Sequence, residues 1–374
     1  MDLYLENKNN FSLMKTKQLT EGSSLFLDLL RAFSVQLVVV GHGISFCAIF
    51  PSLQPPYFPF MQNIAVVIFF LLSGYLISNS IFYNIASNKN YSFTSYFIDR
   101  FSRIYSALIP ALIFVFFIDY FSVSKNSINY IYSDAFNIKT FIGNIFMLQD
   151  FPFLKHVSMK ITSFGSARPL WTLAIEWWIY MWFGFLSIKI IKANKFSILN
   201  MLIFAFLCIV PAYNIISGRG NGLTVYWLFG LLVCLLYDKY KNLDLKKSIK
   251  WIMLLLFLLL AAARVEYTLQ EYEGIFVFLL AVSLLISIEL CSNLQINKSI
   301  SKLVRLIANY SYTLYLVHYS IYDFLLSHYN SDYSGNTLFV TGFIVSNAIA
   351  FAIGYFTETK LTKFVKGKLK ARFV

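Results

Sequence analysis

Apolar residues come in long blocks broken by short polar stretches. A helix needs roughly 20 apolar residues to cross a bilayer core of about 30 Å. Blocks of that kind lie at 25–50, 62–83, 103–123, 172–190, 197–216, 223–237, 249–264, 272–290, 303–326 and 337–357. The pattern predicts ten membrane-spanning helices, of which 223–237 is the shortest. The block 141–148 is too short to span and is expected at the membrane surface. An N-terminal tail (1–24), one membrane domain (25–357) and a basic C-terminal tail (358–374) account for the chain, with no repeat and no linker to a second domain. The fold class is therefore all-α: a polytopic integral membrane bundle.

Composition agrees. Of the 374 residues 58% are apolar and 13% charged, against roughly 45–50% and about 25% in a soluble domain. This excludes a disordered chain, a disulfide scaffold and a cytosolic enzyme. The net charge of +13 has a positional reading. Of the 31 Lys and Arg, 23 fall in the two tails and in the loops after the second, fourth, sixth and eighth blocks. Seven fall in the alternate loops, and Arg31 lies inside the first block. That split predicts both termini in the cytoplasm and an even number of spans. It calls for membrane lipids as partners and for no nucleic acid. The four cysteines have no metal-ligand spacing, so thiols are expected and no metal site. The segment 124–170, with Lys125, Lys139, Lys155, Lys160 and Arg168, is expected outside, placed to cover an outer pocket.

Ionisable residues inside spans are costly and usually functional. Arg31 and His42 are eleven residues apart, so they share one helix face, roughly 16.5 Å apart along the axis. Arg31 admits two readings: a side chain snorkelling to the cytoplasmic interface, or a ligand contact. Gly41 and Gly43 leave room beside His42. By depth, His42, Glu176 and His318 all fall in the outer half, and a cluster of one acid and two imidazoles suits acid–base work. Arg100 and Arg103 stand one turn apart on the cytoplasmic side, either as membrane anchors or as an anion clamp. Ser73-Gly74 reads as a small-residue helix contact. Ser73 and Trp171, at the head of the fourth block, are also expected to line a substrate site.

Five ordered stretches carry a family resemblance: LDLLRAFSVQLVVVGH (27–42), FFLLSG (69–74), FIDRFSRIY (97–105), LWTLAIEWWIY (170–180) and YSYTLYLVH (310–318). Together they resemble the bacterial membrane acyltransferase-3 family, which O-acylates surface polysaccharides and lipids. The resemblance implies that His42 is the essential histidine and Arg31 its partner arginine. It further implies that Arg100 and Arg103 are the paired arginines, and that Glu176 is the acidic residue after the Trp-Thr-Leu signature. The family's paired-arginine motif often continues to a proline; here Ile104-Tyr105-Ser106 follows. Its acidic-basic-Pro ending appears as Glu358-Thr359-Lys360.

The resemblance implies an O-acetyltransferase. Acetyl-CoA would be the donor, entering from the cytoplasm onto Arg31, Arg100 and Arg103. A glycan or lipid-linked saccharide would be the acceptor. His42 would be the general base, with Glu176 orienting it or holding the acceptor and His318 in the acceptor site. A transporter or flippase for a glycolipid is the rival reading, since it would use buried charges for proton coupling. A polysaccharide polymerase is a second, with 124–170 as its one candidate large outer loop.

Overall fold

The Thr20 hydroxyl accepts from the Ser23 amide and caps the first helix, α1 (Glu21–Phe46). The same device starts α3 (Phe93–Ser124) at Ser92 and a later helix at Ser197. Such caps satisfy amides that the helix itself leaves unpaired. The computed structural model describes residues 18–125, 130–149, 151–156, 160–217 and 222–374. Residues 1–17, most of the predicted N-terminal tail with its Lys8, Lys15 and Lys17, lie outside that set, as does Arg219.

Between α1 and α3 runs α2 (Met61–Ser87). Two short helices follow α3: α4 (Ile138–Ile145) and α5 (Pro152–His156). Next come α6 (Leu170–Phe185), which continues as a π-helical turn over Leu186–Lys192, then α7 (Ile198–Ile216) and α8 (Leu223–Lys241). The chain proceeds through α9 (Lys247–Thr268), α10 (Gly274–Cys291) and α11 (Lys298–Tyr329). It ends in α12 (Gly335–Gly354), a second π-helical stretch over Tyr355–Leu361, and α13 (Thr362–Phe373). The described residues contain no strand, and the fold is an all-α polytopic membrane bundle.

Nine helices among the described residues are long and apolar enough to cross a membrane, counting α12 through α13 as one. Ten spans were expected. The tenth, 303–326, is α11, which is 32 residues long but less apolar than the others. Its polar side chains explain this. Ser311, Thr313, His318, Ser320, Asp323 and Ser327 are buried and face neighbouring helices, chiefly α12, α1 and α3. The polarity of α11 is thus turned inward, whereas α9 exposes Ile252, Leu255, Leu256 and Leu259, as a lipid-facing helix does. The short block 141–148 is the short helix α4 and not a span.

α2 and α8 cross closely. A Cβ on Gly74 would strike the Trp227 carbonyl, and one on Gly230 would strike the Leu71 carbonyl. Small residues allow this approach where no water-driven force holds helices together. The basic C-terminal stretch is helical, and Lys366 and Lys370 of α13 both reach Asp99 of α3, at 3.0 and 2.9 Å. Asp99 precedes Arg100, so α13 braces the helix turn that carries the arginine pair.

Candidate active site

Arg31 of α1 pairs with Asp28 one turn earlier, Nη2 to Oδ1 at 2.9 Å, and reaches the Ala308 carbonyl of α11 at 3.4 Å. Its Nε is buried with no partner among the described residues. Arg100 stands over the Tyr96 ring at 5.8 Å, and its Nε is likewise buried and unpaired. Both arginines line one cavity of about 310 Å³, with Arg103, Glu176, Ser73, Tyr180 and Tyr312. The Tyr312 hydroxyl is a third buried polar group without a partner. α3 begins ten residues before the predicted 103–123 block, so Arg100 and Arg103 belong to its first turns and not to a loop. Buried donors are nearly always paired. Two orphaned guanidinium N–H groups on one cavity therefore suit a ligand with several anionic oxygens.

Glu176 was expected beside His42. The structure puts it in the arginine cavity, at the end of a hydrogen-bond chain. The Trp227 indole donates to Ser73 Oγ at 3.1 Å, Ser73 and Tyr180 hydroxyls meet at 2.8 Å, and Tyr180 donates to Glu176 Oε1 at 2.5 Å. Glu176 lies one turn past Thr172, which lines both cavities, and so falls on the arginine side. Ser73 also lines this cavity, held by two ring partners, Tyr180 and Trp227. Glu358, from the second π-helical stretch, accepts from both the amide and the hydroxyl of Thr313 at 2.7 Å. It thereby ties the stretch after α12 to α11, beside the arginine cavity's Tyr312.

His42 lines a second cavity, of about 530 Å³, with Ser45, Gln62, Arg168, Trp171, Tyr272 and Tyr319 among its walls. His42 Nδ1 stands 3.0 Å from Nε2 of the fully buried His318 of α11. His318 Nδ1 faces the carbonyls of Leu314 and Tyr315 at 3.1 and 3.0 Å. Carbonyls only accept, so His318 carries its proton on Nδ1 and offers a lone pair at Nε2. His42 then donates from Nδ1, which leaves its own Nε2 with a free lone pair. Gly43 fits against the Tyr322 ring and Gly41 against Gln62, where a Cβ would collide. The glycines therefore let α1 approach its neighbours, α11 among them.

One wall of the second cavity is the loop ahead of α6, which carries Arg168. Asp119, fully buried on α3, anchors it: Oδ2 accepts from the Ser166 amide at 2.8 Å and Oδ1 from its hydroxyl at 2.6 Å. Gly165, at φ +47°, makes the turn beside that carboxylate. Sequence reasoning passed over Asp119, Tyr180, Tyr312 and Tyr315. The signals were there in part: Tyr180 follows Glu176 by four residues, and Tyr312, Tyr315 and His318 recur at three on one helix face.

The membrane bundle thus holds an arginine-lined cavity beside one that carries His42, backed by the buried His318. The chain belongs to the acyltransferase-3 family, whose model, described as an acyltransferase domain, matches residues 24–355. An O-acetyl transferase of Shigella phage Sf6 is 30% identical over 193 residues, 50% of this chain and 53% of that protein. The peptidoglycan O-acetyltransferase OatA of Listeria monocytogenes is 30% identical over 292 residues, 69% of this chain and 44% of that protein. The chain spans about half the length of these curated relatives. No solved structure matches.

Proposed function

We propose that this protein is an O-acyltransferase of the bacterial inner membrane that moves an acetyl group from acetyl-CoA to a hydroxyl of a cell-surface glycan. The observation that carries the reading is the pair of adjoining cavities. One is lined by three arginines, two of which, Arg31 and Arg100, have an unpaired Nε; the other holds a histidine with a free Nε2. Both curated relatives are named as O-acetyl transferases. With both termini cytoplasmic, as the charge pattern predicts, the arginine cavity opens towards the cytoplasm, where CoA phosphates arrive. The histidine cavity opens outward, where a glycan is presented, and its aromatic walls with a few polar groups suit a sugar.

In this reading Arg31, Arg100 and Arg103 bind the donor's phosphates. Glu176 is the carboxylate of that cavity and fixes Tyr180 and through it Ser73. His42 Nε2 takes the proton of the acceptor hydroxyl as its oxygen forms the new C–O bond. The C–S bond of the thioester breaks, and the leaving thiolate recovers the proton from His42. His318 holds the His42 ring and its tautomer by accepting from Nδ1, a positioning role like that of a triad's third member. Trp171 lines the acceptor side. The test is purified protein in lipid nanodiscs with acetyl-CoA and a glycan acceptor. Release of free CoA together with an ester-linked acetyl group on the glycan supports the reading. Absence of CoA release with every acyl-CoA and acceptor offered contradicts it.

A further inference from the structure

Val66, Thr172 and Tyr315 line both cavities. The Tyr315 hydroxyl and Thr172 Oγ1 stand 2.5 Å apart. Both also reach the Pro169 carbonyl, Thr172 donating at 2.9 Å and Tyr315 at 3.4 Å. Phe69 meets the Tyr315 ring edge-on, with centroids 5.8 Å apart. Tyr315 is thus braced on one side by a ring and on the other by two oxygens of the α6 entrance. Its own carbonyl accepts from His318 Nδ1, so one turn of α11 carries both this wall and the imidazole that holds His42.

We propose that the Tyr315–Thr172 pair is a septum between the donor and acceptor chambers, and that it selects small acyl groups. The inference rests on the donor–acceptor reading above. Any acyl carbon that comes from the arginines to His42 Nε2 passes Val66, Thr172 and Tyr315. An acetyl group extends one methyl beyond its reacting carbon. Each further methylene must find room against the Tyr315 ring, which Phe69 and the Pro169 carbonyl keep from turning aside. In a packed pocket one methylene changes discrimination by roughly 10–200-fold. The septum also separates the thioester from water in the acceptor chamber until the acyl group arrives.

The experiment has two readouts. The first is the ratio of butyryl-CoA to acetyl-CoA turnover in the wild type, Tyr315→Ala, Tyr315→Phe and Thr172→Val. The last two keep side-chain volume and guard against a folding defect in the first. The ratio rises about tenfold or more in Tyr315→Ala, and by less, in the same direction, in the other two. The second is independent of turnover. In a form with Cys47, Cys208, Cys234 and Cys291 replaced by alanine, Leu76→Cys places a thiol on the arginine cavity. A membrane-impermeant maleimide added to spheroplasts labels it faster when Tyr315 is alanine. An unchanged ratio in an enzyme active on acetyl-CoA overturns the selectivity, and unchanged labelling overturns the septum. Faster labelling in a protein that turns over no acyl-CoA upholds the septum and overturns the proposed function instead.

Discussion

His42 and His318, from helices α1 and α11, are joined Nδ1 to Nε2 at 3.0 Å, and the two carbonyls on the far side of His318 fix the direction of that bond. The direction matters because it leaves His42 Nε2 unprotonated and facing the larger cavity. Replacing His318 with leucine removes the acceptor and lets the His42 ring choose the wrong tautomer. Transfer then falls by up to about 10⁴-fold, the loss known for a mis-set catalytic imidazole. His318→Gln, whose amide oxygen can still accept from Nδ1, keeps more activity than His318→Leu. Single-turnover rates on folded protein check this; equal loss in both variants leaves His318 a packing role.

The arginine cavity makes a separate prediction. Arg100→Ala and Arg103→Ala each weaken acetyl-CoA binding by about 10–100-fold, the value of one hydrogen bond between charged groups. Insertion and folding are unchanged. Calorimetry in nanodiscs reads the affinity directly. Unchanged affinity in both single variants and the double variant leaves the pair as membrane anchors, the other reading of two cytoplasmic-side arginines.

At the α2–α8 crossing, Gly74→Val puts a side chain into the Trp227 carbonyl. Overpacking of this kind costs about 1–3 kcal/mol. Trp227 also donates to Ser73, so the shift reaches the chain that ends at Glu176. Thermal unfolding in detergent should show a lower midpoint, with donor affinity reduced as well. Wild-type stability in this variant contradicts the close crossing.

Much of the bundle was legible because the bilayer sets a length and a polarity that leave few alternatives. The eleven-residue spacing of Arg31 and His42 was legible too, since helix geometry alone puts both on one face; the structure sets them in adjoining cavities. Glu176 was misplaced for a physical reason. Counting residues gives height only to within about a turn, and one turn past Thr172 the chain has already entered the arginine cavity. The Thr172–Tyr315 contact joins residues 143 apart in sequence, and no local pattern announces it. α11 carries a warning for apolarity rules: its lower apolarity comes from the buried face that bears His318.

Asp119→Ala should detach the loop that carries Arg168. The change leaves the buried Ser166 amide without its acceptor, at a cost of about 1–3 kcal/mol. Acceptor-side kinetics suffer first: the KM for the glycan rises while acetyl-CoA affinity holds. Proteolysis of the 160–169 segment, with acceptor titration, measures both effects. An unaltered acceptor KM contradicts the anchoring role.

The central claim is that His42 performs proton transfer in a chamber separate from the one that binds the donor. The most direct measurement is the transfer rate of His42→Ala beside its acetyl-CoA affinity, on protein shown to be folded. A positioned acid–base group is worth roughly 10²–10⁴-fold, so transfer should fall by that factor while donor affinity stays at the wild-type value. Near-normal transfer, or loss of donor binding along with transfer, would contradict the account.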